Sequence, residues 1–283
     1  MSFADLHLHS NFSDGTFTPE ELVDRARRTG LKALALTDHD TIEGCDRTAA
    51  ACNKEGIEFL VGAELTAEHN GNELHILAYM VDPGNPKLVS EIAKFQKVRQ
   101  QRIHEMVARI NELNIPLNVE DVFALANCRS PGRPHVARAL VKARLCGTLD
   151  EAFERFLKKG RPAWVPKAKM SALEAIELIH QAGGLAVMAH PGLNKTDESI
   201  PELVSAGLDG IECFHTKHNA ATAERYQKIA QAHGLLITGG SDCHGLSKGK
   251  PLIGTVKLDY RHVERLYAAK KVADEKRMAT QTH

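Results

Sequence analysis

The sequence predicts an α/β fold, a largely parallel sheet core interrupted by an all-helical insertion. Three observations carry that prediction. Apolar strand segments alternate with amphipathic helices over residues 1–83 and again over 167–283. From 84 to 166 the alternation stops and only helical periodicity remains. Ionisable residues collect where the apolar strands end, which is where α/β folds carry their active sites.

Phe3, Leu6 and Leu8 make an opening strand, and its alternation puts His7 and His9 on one face. Two imidazoles so placed can grip one metal ion, and Asp14 follows in a polar, Gly-containing turn. Thr18-Pro19-Glu20-Glu21 is a helix start, with Thr as cap, Pro in the first turn and acids at the positive end of the dipole. That helix stops at Gly30. Ala33 to Leu36 is a buried strand ending in Thr37-Asp38-His39-Asp40. A helix from about Glu43 to Lys54, a strand from Ile57 through Glu64 to Leu65 and a strand from Glu73 to Val81 containing His75 follow. Asn70-Gly71 predicts that the last two strands pair as a hairpin.

Asp82-Pro83-Gly84-Asn85-Pro86 breaks the pattern. Helices are expected at Lys87 to Leu113, Val119 to Ala126, Pro134 to Lys142 and Leu149 to Leu157, closed by Arg161-Pro162 to Pro166. The division predicted is therefore 1–83 and 167–283 for the α/β core, with 84–166 as a helical insertion. Alternation resumes with a helix from Ser171 to Gln181 and the strand Leu185 to Ala189, which ends at His190. A short helix (Ile200 to Ser205), a strand (Gly210 to His215), a helix (Asn219 to His233) and a strand (Leu235 to Gly240) follow. The last strand runs into Asp242 and His244, and a tail helix is expected from Tyr260 to about Asp274.

Composition narrows the function. Lys plus Arg and Asp plus Glu are 36 each, so no large nucleic-acid surface is indicated. Aromatics at 5% argue against a long base-stacking platform. The 15 histidines point instead to metal ligation or acid–base work. Six cysteines without a C-x-x-C pair read as buried thiols in a reducing compartment. Neither a signal peptide nor an apolar run of membrane length appears, so a cytoplasmic protein is expected.

Nine groups lie on or just past strands: His7, His9, Asp14, His39, Glu64, His75, His190, Asp242 and His244. Tetrahedral zinc takes about four ligands, so nine suit two or three ions. Mixed imidazole and carboxylate donors fit Zn, Mn or Fe. A lone strand histidine is more often a hydrogen-bonded core residue, but nine ionisable groups at one mouth are too costly to bury without cations.

These residues carry a resemblance. The stretches DLHLHSNFSDGTFTPEELVDRARRTGLKALALTDHDTIEG, GAEL, HILAY, MAHPG and GGSDCHG resemble the motifs of the polymerase and histidinol phosphatase (PHP) family, within the amidohydrolase superfamily. The resemblance covers about residues 1–83 and 180–256. It implies a distorted (β/α)7, TIM-like barrel with a helical insertion and a di- or trinuclear metal centre. It also implies that His7, His9, Glu64 and Asp242 hold one ion, Glu64, His75 and His190 a second, and Asp14, His39 and His244 a third. Of these, His7, His9, Glu64, Asp242 and His244 are expected to be catalytic. Asp14 stands where some trinuclear members have histidine, a harder ligand that favours Mn.

Clustered divalent ions activate water and clamp phosphoryl oxygens, so phosphate-ester hydrolysis by a metal-bridging hydroxide is expected. The substrate is expected to be a small phosphorylated molecule, a nucleotide or a short RNA. In the insertion, Arg133 and His135 could meet phosphate at a helix start. Lys158, Lys159, Arg161, Lys167 and Lys169 follow, either as a solvated basic face or as contacts, with Lys158, Arg161 and Lys167 singled out for a second phosphate. His215 and His218 are expected to face the mouth, His218 the more so. His69, His104, His180, His233, His262 and His283 are read as surface or structural. Insertion and ligand set together look most like the nucleoside 3′,5′-bisphosphate phosphatases of the family. The expected reaction removes the 3′-phosphate to leave a 5′-mononucleotide. The alternatives are a 5′-3′ exoribonuclease, a histidinol-phosphate-type phosphatase and a non-catalytic metal-binding module.

Overall fold

The computed structural model describes residues 2–167, 169–194, 197–247 and 249–281, so His283 lies outside the described residues. The chain begins as β1 (Phe3–Leu8), α1 (Pro19–Arg28), β2 (Leu31–Leu36), α2 (Cys45–Glu55), β3 (Glu58–His69) and β4 (Asn72–Tyr79). Thr18 accepts from the Glu21 amide and Glu21 accepts in return from the Thr18 amide, so the predicted start of α1 is a complete capping box. Asn70 and Gly71 both have positive φ (50° and 77°), the geometry of a tight two-residue hairpin turn.

After the insertion come β5 (Met170–Ser171), α7 (Ala172–Gln181), β6 (Leu185–Met188), α8 (Pro191–Asn194), α9 (Ile200–Ser205), β7 (Gly210–His215), α10 (Ala220–His233), β8 (Leu236–Gly240), β9 (Leu258–Asp259) and α11 (Arg261–Gln281). The short elements β5, α8 and β9 lack a sequence periodicity that would predict them, and α11 runs past its expected end.

Pairing follows the order β8-β7-β6-β4-β3-β2-β1-β9, with β5 beside β3. The ring closes where Leu8 bridges Cys243 in parallel and the His9 amide donates to the Cys243 carbonyl at 3.0 Å. Tyr79 on β4 donates its hydroxyl to the Leu6 carbonyl on β1 at 2.8 Å. Two strands separate β4 from β1 in the ring, so this bond crosses the interior. The architecture is the distorted seven-stranded, TIM-like barrel expected. Its distortion is β4, which runs antiparallel to both β3 and β6 because a two-residue turn leaves no room for a crossover.

That reversal corrects one expectation. His75 lies in the first half of its strand, not at its C-terminal end. Since β4 runs against its neighbours, its early residues reach the rim that the other strands reach with their late ones.

The insertion contains α3 (Pro86–Glu112), α4 (Val119–Ala126), α5 (Arg133–Lys142) and α6 (Leu149–Ala152), the last passing into one π-helical turn (Phe153–Leu157). Ile103, Met106, Ile110, Val122, Leu140 and Leu157 form part of an apolar cluster drawn only from this segment. Leu88 and Ile92, in the first turns of α3, pack instead into the cluster around β3, β4 and α7. One end of α3 is therefore fixed on the barrel while the other builds a separate core.

Candidate metal centre

Glu64 is the point on which the site converges. It is 1% exposed, and each oxygen faces imidazoles. Oε1 lies 2.6 Å from His75 Nδ1 and 2.9 Å from His190 Nε2. Oε2 lies 3.0 Å from His39 Nδ1, 3.3 Å from His9 Nε2 and 3.4 Å from His7 Nε2. A second carboxylate extends the cluster, with Asp242 Oδ1 3.2 Å from His9 Nε2 and 3.4 Å from His244 Nδ1. His244 Nε2 reaches Asp14 Oδ1 at 3.2 Å. All nine sequence-predicted ligands thus lie in one connected cluster.

Backbone geometry aims several of them. His190 (φ 28°) and Asp242 (φ 51°) both occupy left-handed conformations that non-glycine residues rarely adopt. Each lies two residues past the end of a strand, where a sharp turn swings the side chain back over the barrel mouth.

Burial would raise the Glu64 carboxyl, but the charges of His39, His75 and His7 override it and hold Glu64 well below the usual carboxylate range. His9 shows the reciprocal effect. Burial lowers it, while its bonds to Asp242 and Glu64 more than compensate and raise it to about 10.

The donor set fits divalent cations. Buried atoms without a hydrogen-bond partner include His7 Nε2, both ring nitrogens of His9, Asp14 Oδ1, His39 Nδ1, Glu64 Oε2 and His75 Nε2. Buried polar atoms are ordinarily satisfied, so a concentration of orphans at one mouth marks where ions belong. Four sets have ligand atoms within 4.8 Å of one another: His9, Asp14, His39 and His244; His7, Glu64 and His190; His7, His9 and Asp242; and His39, Glu64 and His75. The sets share ligands, as closely spaced ions require. His7, His9, His39 and Glu64 each belong to two of them, whereas the family pattern shares only Glu64.

Sequence reasoning missed Glu212. This fully buried residue of β7 accepts from His7 Nδ1 at 3.0 Å and from the His190 amide at 2.8 Å. A carboxylate on His7 Nδ1 fixes the tautomer that leaves Nε2 free for an ion. The available signal was an acid within the apolar run Gly210-Ile211-Glu212-Cys213. His215, the less favoured of the two expected mouth histidines, does face the cluster, with Nε2 3.5 Å from Asp242 Oδ2.

A cavity of about 270 Å³ opens over the cluster. His39, Glu64, His75, Asp14, Asp242 and His244 line it. So do Arg99, Arg102, Arg133 and Lys167, together with Glu73 and Phe153. Arg133 and Lys167 were expected there, whereas Arg99 and Arg102 were not singled out in the long amphipathic helix. Arg99 is anchored by Asp40, its Nε donating to Oδ2 at 2.8 Å.

Four other expected contacts do not line this cavity. His135 is 1% exposed, and its Nδ1 accepts from the Gly132 amide at 3.0 Å, which makes it a cap for α5. Lys158 and Arg161 point to solvent, where both pair with Glu154. His218 donates from Nδ1 to the Cys213 carbonyl and accepts at Nε2 from the Gly192 amide, tying β7 to α8. The physical reason is common to all four: a nearer backbone group or carboxylate claims the side chain.

Comparison with known proteins places the chain in a family. The model of the PHP domain family matches residues 5–185. A 3′,5′-nucleoside bisphosphate phosphatase of Chromobacterium violaceum is 33% identical over 262 residues, covering 90% of this chain and 91% of its own. A 5′-3′ exoribonuclease of Haemophilus influenzae is 35% identical over 248 residues, covering 85% of this chain and 89% of its own. A crystal structure assigned as a metal-dependent phosphoesterase, from Bifidobacterium adolescentis, superposes with a TM-score of 0.87 at 36% identity, over 94% of this chain and 96% of that one. A barrel whose rim crowds imidazoles and carboxylates around one glutamate is what such relatives would share, and the chain belongs to the PHP family, as a metal-dependent phosphoesterase.

Proposed function

We propose that the enzyme removes the 3′-phosphate of nucleoside 3′,5′-bisphosphates, leaving 5′-mononucleotides. The observation that carries the reading is one cavity lined both by a ligand cluster for one phosphate and by four cationic side chains for another. The relative from Chromobacterium violaceum supports it by its activity. His7, His9, Glu64 and Asp242 would hold one ion, Glu64, His75 and His190 a second, and Asp14, His39 and His244 a third, with Mn favoured by the hard carboxylate of Asp14 in the third set. Such ions, when bound, supply an activated water and neutralise charge on the phosphoryl oxygens.

The chain's own groups do the rest. Glu212 holds His7 in its ligating tautomer. Arg99, Arg102, Arg133 and Lys167 orient the 5′-phosphate so that the 3′-ester faces the cluster. In this reading residues 84–166 act as a cap on the barrel formed by 1–83 and 167–283. The free cysteines, five of the six buried, suit a cytoplasmic enzyme.

The test compares adenosine 3′,5′-bisphosphate with 5′-AMP on Mn-loaded protein. Loss of one charged anchor costs about 1.4 kcal/mol or more, so the bisphosphate is expected to react roughly tenfold faster or better in kcat/KM. Equal phosphate release from both would defeat the reading. The relative from Haemophilus influenzae favours a second reading on the same chemistry, trimming of short RNA from the 5′ end. Release of mononucleotides from a 5′-phosphorylated trinucleotide, with the bisphosphate left intact, would select it.

A further inference from the structure

A second cavity, of about 510 Å³, lies beyond the cationic wall. Glu73, Arg102, Arg133 and Lys167 line both cavities, so the two meet there. The outer one adds Lys159, Lys169, Asn72 and Trp164, the only tryptophan of the chain. Its lining carries five cationic side chains against two carboxylates, Glu68 and Glu73. Both carboxylates are already engaged, Glu73 by Lys167 at 2.9 Å and Glu68 by Lys169 at 3.2 Å. Among the described ion pairs, none involves Arg102, Arg133 or Lys159. The loop bearing Trp164 is held in place, since Arg109 Nη1 donates to the Trp164 carbonyl at 2.6 Å and Arg102 Nε to the Val165 carbonyl at 2.9 Å.

Order along the channel gives this cavity its meaning. The sequence of groups is ligand cluster, then cationic wall, then outer cavity. On the bisphosphate reading, on which this inference rests, the substrate follows the same order: 3′-phosphate, ribose, 5′-phosphate. Whatever is bonded to the 5′-phosphate then enters the outer cavity. Surplus positive charge there calls for a further phosphate.

We propose that the outer cavity is a subsite for a 5′-β-phosphate, so that nucleoside 3′-phosphates bearing a 5′-diphosphate are substrates too. The reaction is unchanged. Water adds to the 3′-phosphorus, the bond from phosphorus to O3′ breaks, O3′ takes a proton, and the 5′-diphosphate leaves intact on the nucleoside.

The test measures kcat/KM of the Mn-loaded enzyme for adenosine 3′,5′-bisphosphate and for adenosine 3′-phosphate 5′-diphosphate. Lys159→Glu is expected to lower the value for the diphosphate about tenfold, while that for the bisphosphate stays within about twofold. Lys159→Ala, which adds no charge, should give a smaller loss of the same selectivity. A readout independent of turnover is the fluorescence of Trp164 in a titration with ADP and with AMP, neither of which has a 3′-phosphate to lose. ADP is expected to shift the emission at lower concentration, and Lys159→Glu to erase the difference. Equal losses on both substrates, or identical ADP and AMP curves, would overturn the subsite. If the wild type released no phosphate from the bisphosphate, the function reading would fail, and the Trp164 titration alone would decide whether the cavity binds a β-phosphate.

Discussion

Glu212 shows how one residue outside the ligand set can govern it. Its Oε1 accepts a hydrogen bond from His7 Nδ1 while Oε2 accepts one from the His190 amide, so one carboxylate aims two members of the cluster. Glu212→Gln keeps the shape but loses the charge that makes the imidazole a strong donor. Loss of such a partner costs roughly 10- to 100-fold in metal affinity or activity. That drop is expected in Mn affinity measured by competition with a chelating dye, and unchanged affinity would remove Glu212 from this role. His135 makes a different residue-scale prediction. Burial lowers its imidazole from 6.5 to about 4, so the folded protein keeps it neutral. As pH falls, the unfolded chain takes up the proton first, so this contribution is complete above about 6.5 and is lost as pH falls towards 4. Its size is on the order of 3 kcal/mol. Urea midpoints should therefore fall more steeply between those pH values in wild type than in His135→Gln, and parallel curves would contradict the assignment.

At the scale of elements, the insertion touches the barrel where the ligands are. Ser130 donates its hydroxyl to the His39 carbonyl at 2.6 Å, and Arg138 donates to the Asp14 carbonyl at 2.5 Å. His39 and Asp14 belong to one ligand set, so the loop before α5 and α5 itself hold the backbone of both. Ser130→Ala with Arg138→Ala is expected to weaken the last-filled Mn by about thirtyfold, at roughly 1 kcal/mol per lost hydrogen bond, with the tighter ions unaffected. Isothermal titration would show this, and equal weakening of every ion would point to general loosening instead. Most elements could be read from the sequence because their signals are local: the capping box at Thr18, the stop at Gly30, the turn at Asn70-Gly71. What escaped was set by distant partners. β5 and β9 are two residues each and exist only because β3 and β1 offer them an edge.

For the whole molecule, the convergence of the nine groups was legible because apolar strands ending in polar residues must bring those ends to a common rim once the sheet closes. His75 was found for an incomplete reason, since its strand is reversed and its position early in β4 suits the rim only because of that reversal. The cationic wall was half legible. Arg133 and Lys167 flank turns, but Arg99 and Arg102 sit within a 27-residue helix whose inward face depends on how α3 crosses the barrel mouth. Lys158 and Arg161 looked equivalent in sequence, yet Glu154 holds both at the surface. Local charge is visible in a sequence, whereas the partner that neutralises it arrives through the fold.

The central claim is that side chains from separate strands converge to hold cations that hydrolyse a phosphate ester. The most direct measurement counts Mn per chain in the purified protein while following phosphate release from adenosine 3′,5′-bisphosphate, before and after chelation and reloading. The account predicts two or three ions per chain, release abolished when they are stripped and restored when they return. Full hydrolysis by a chain stripped of ions, or a chain that binds none, would contradict it.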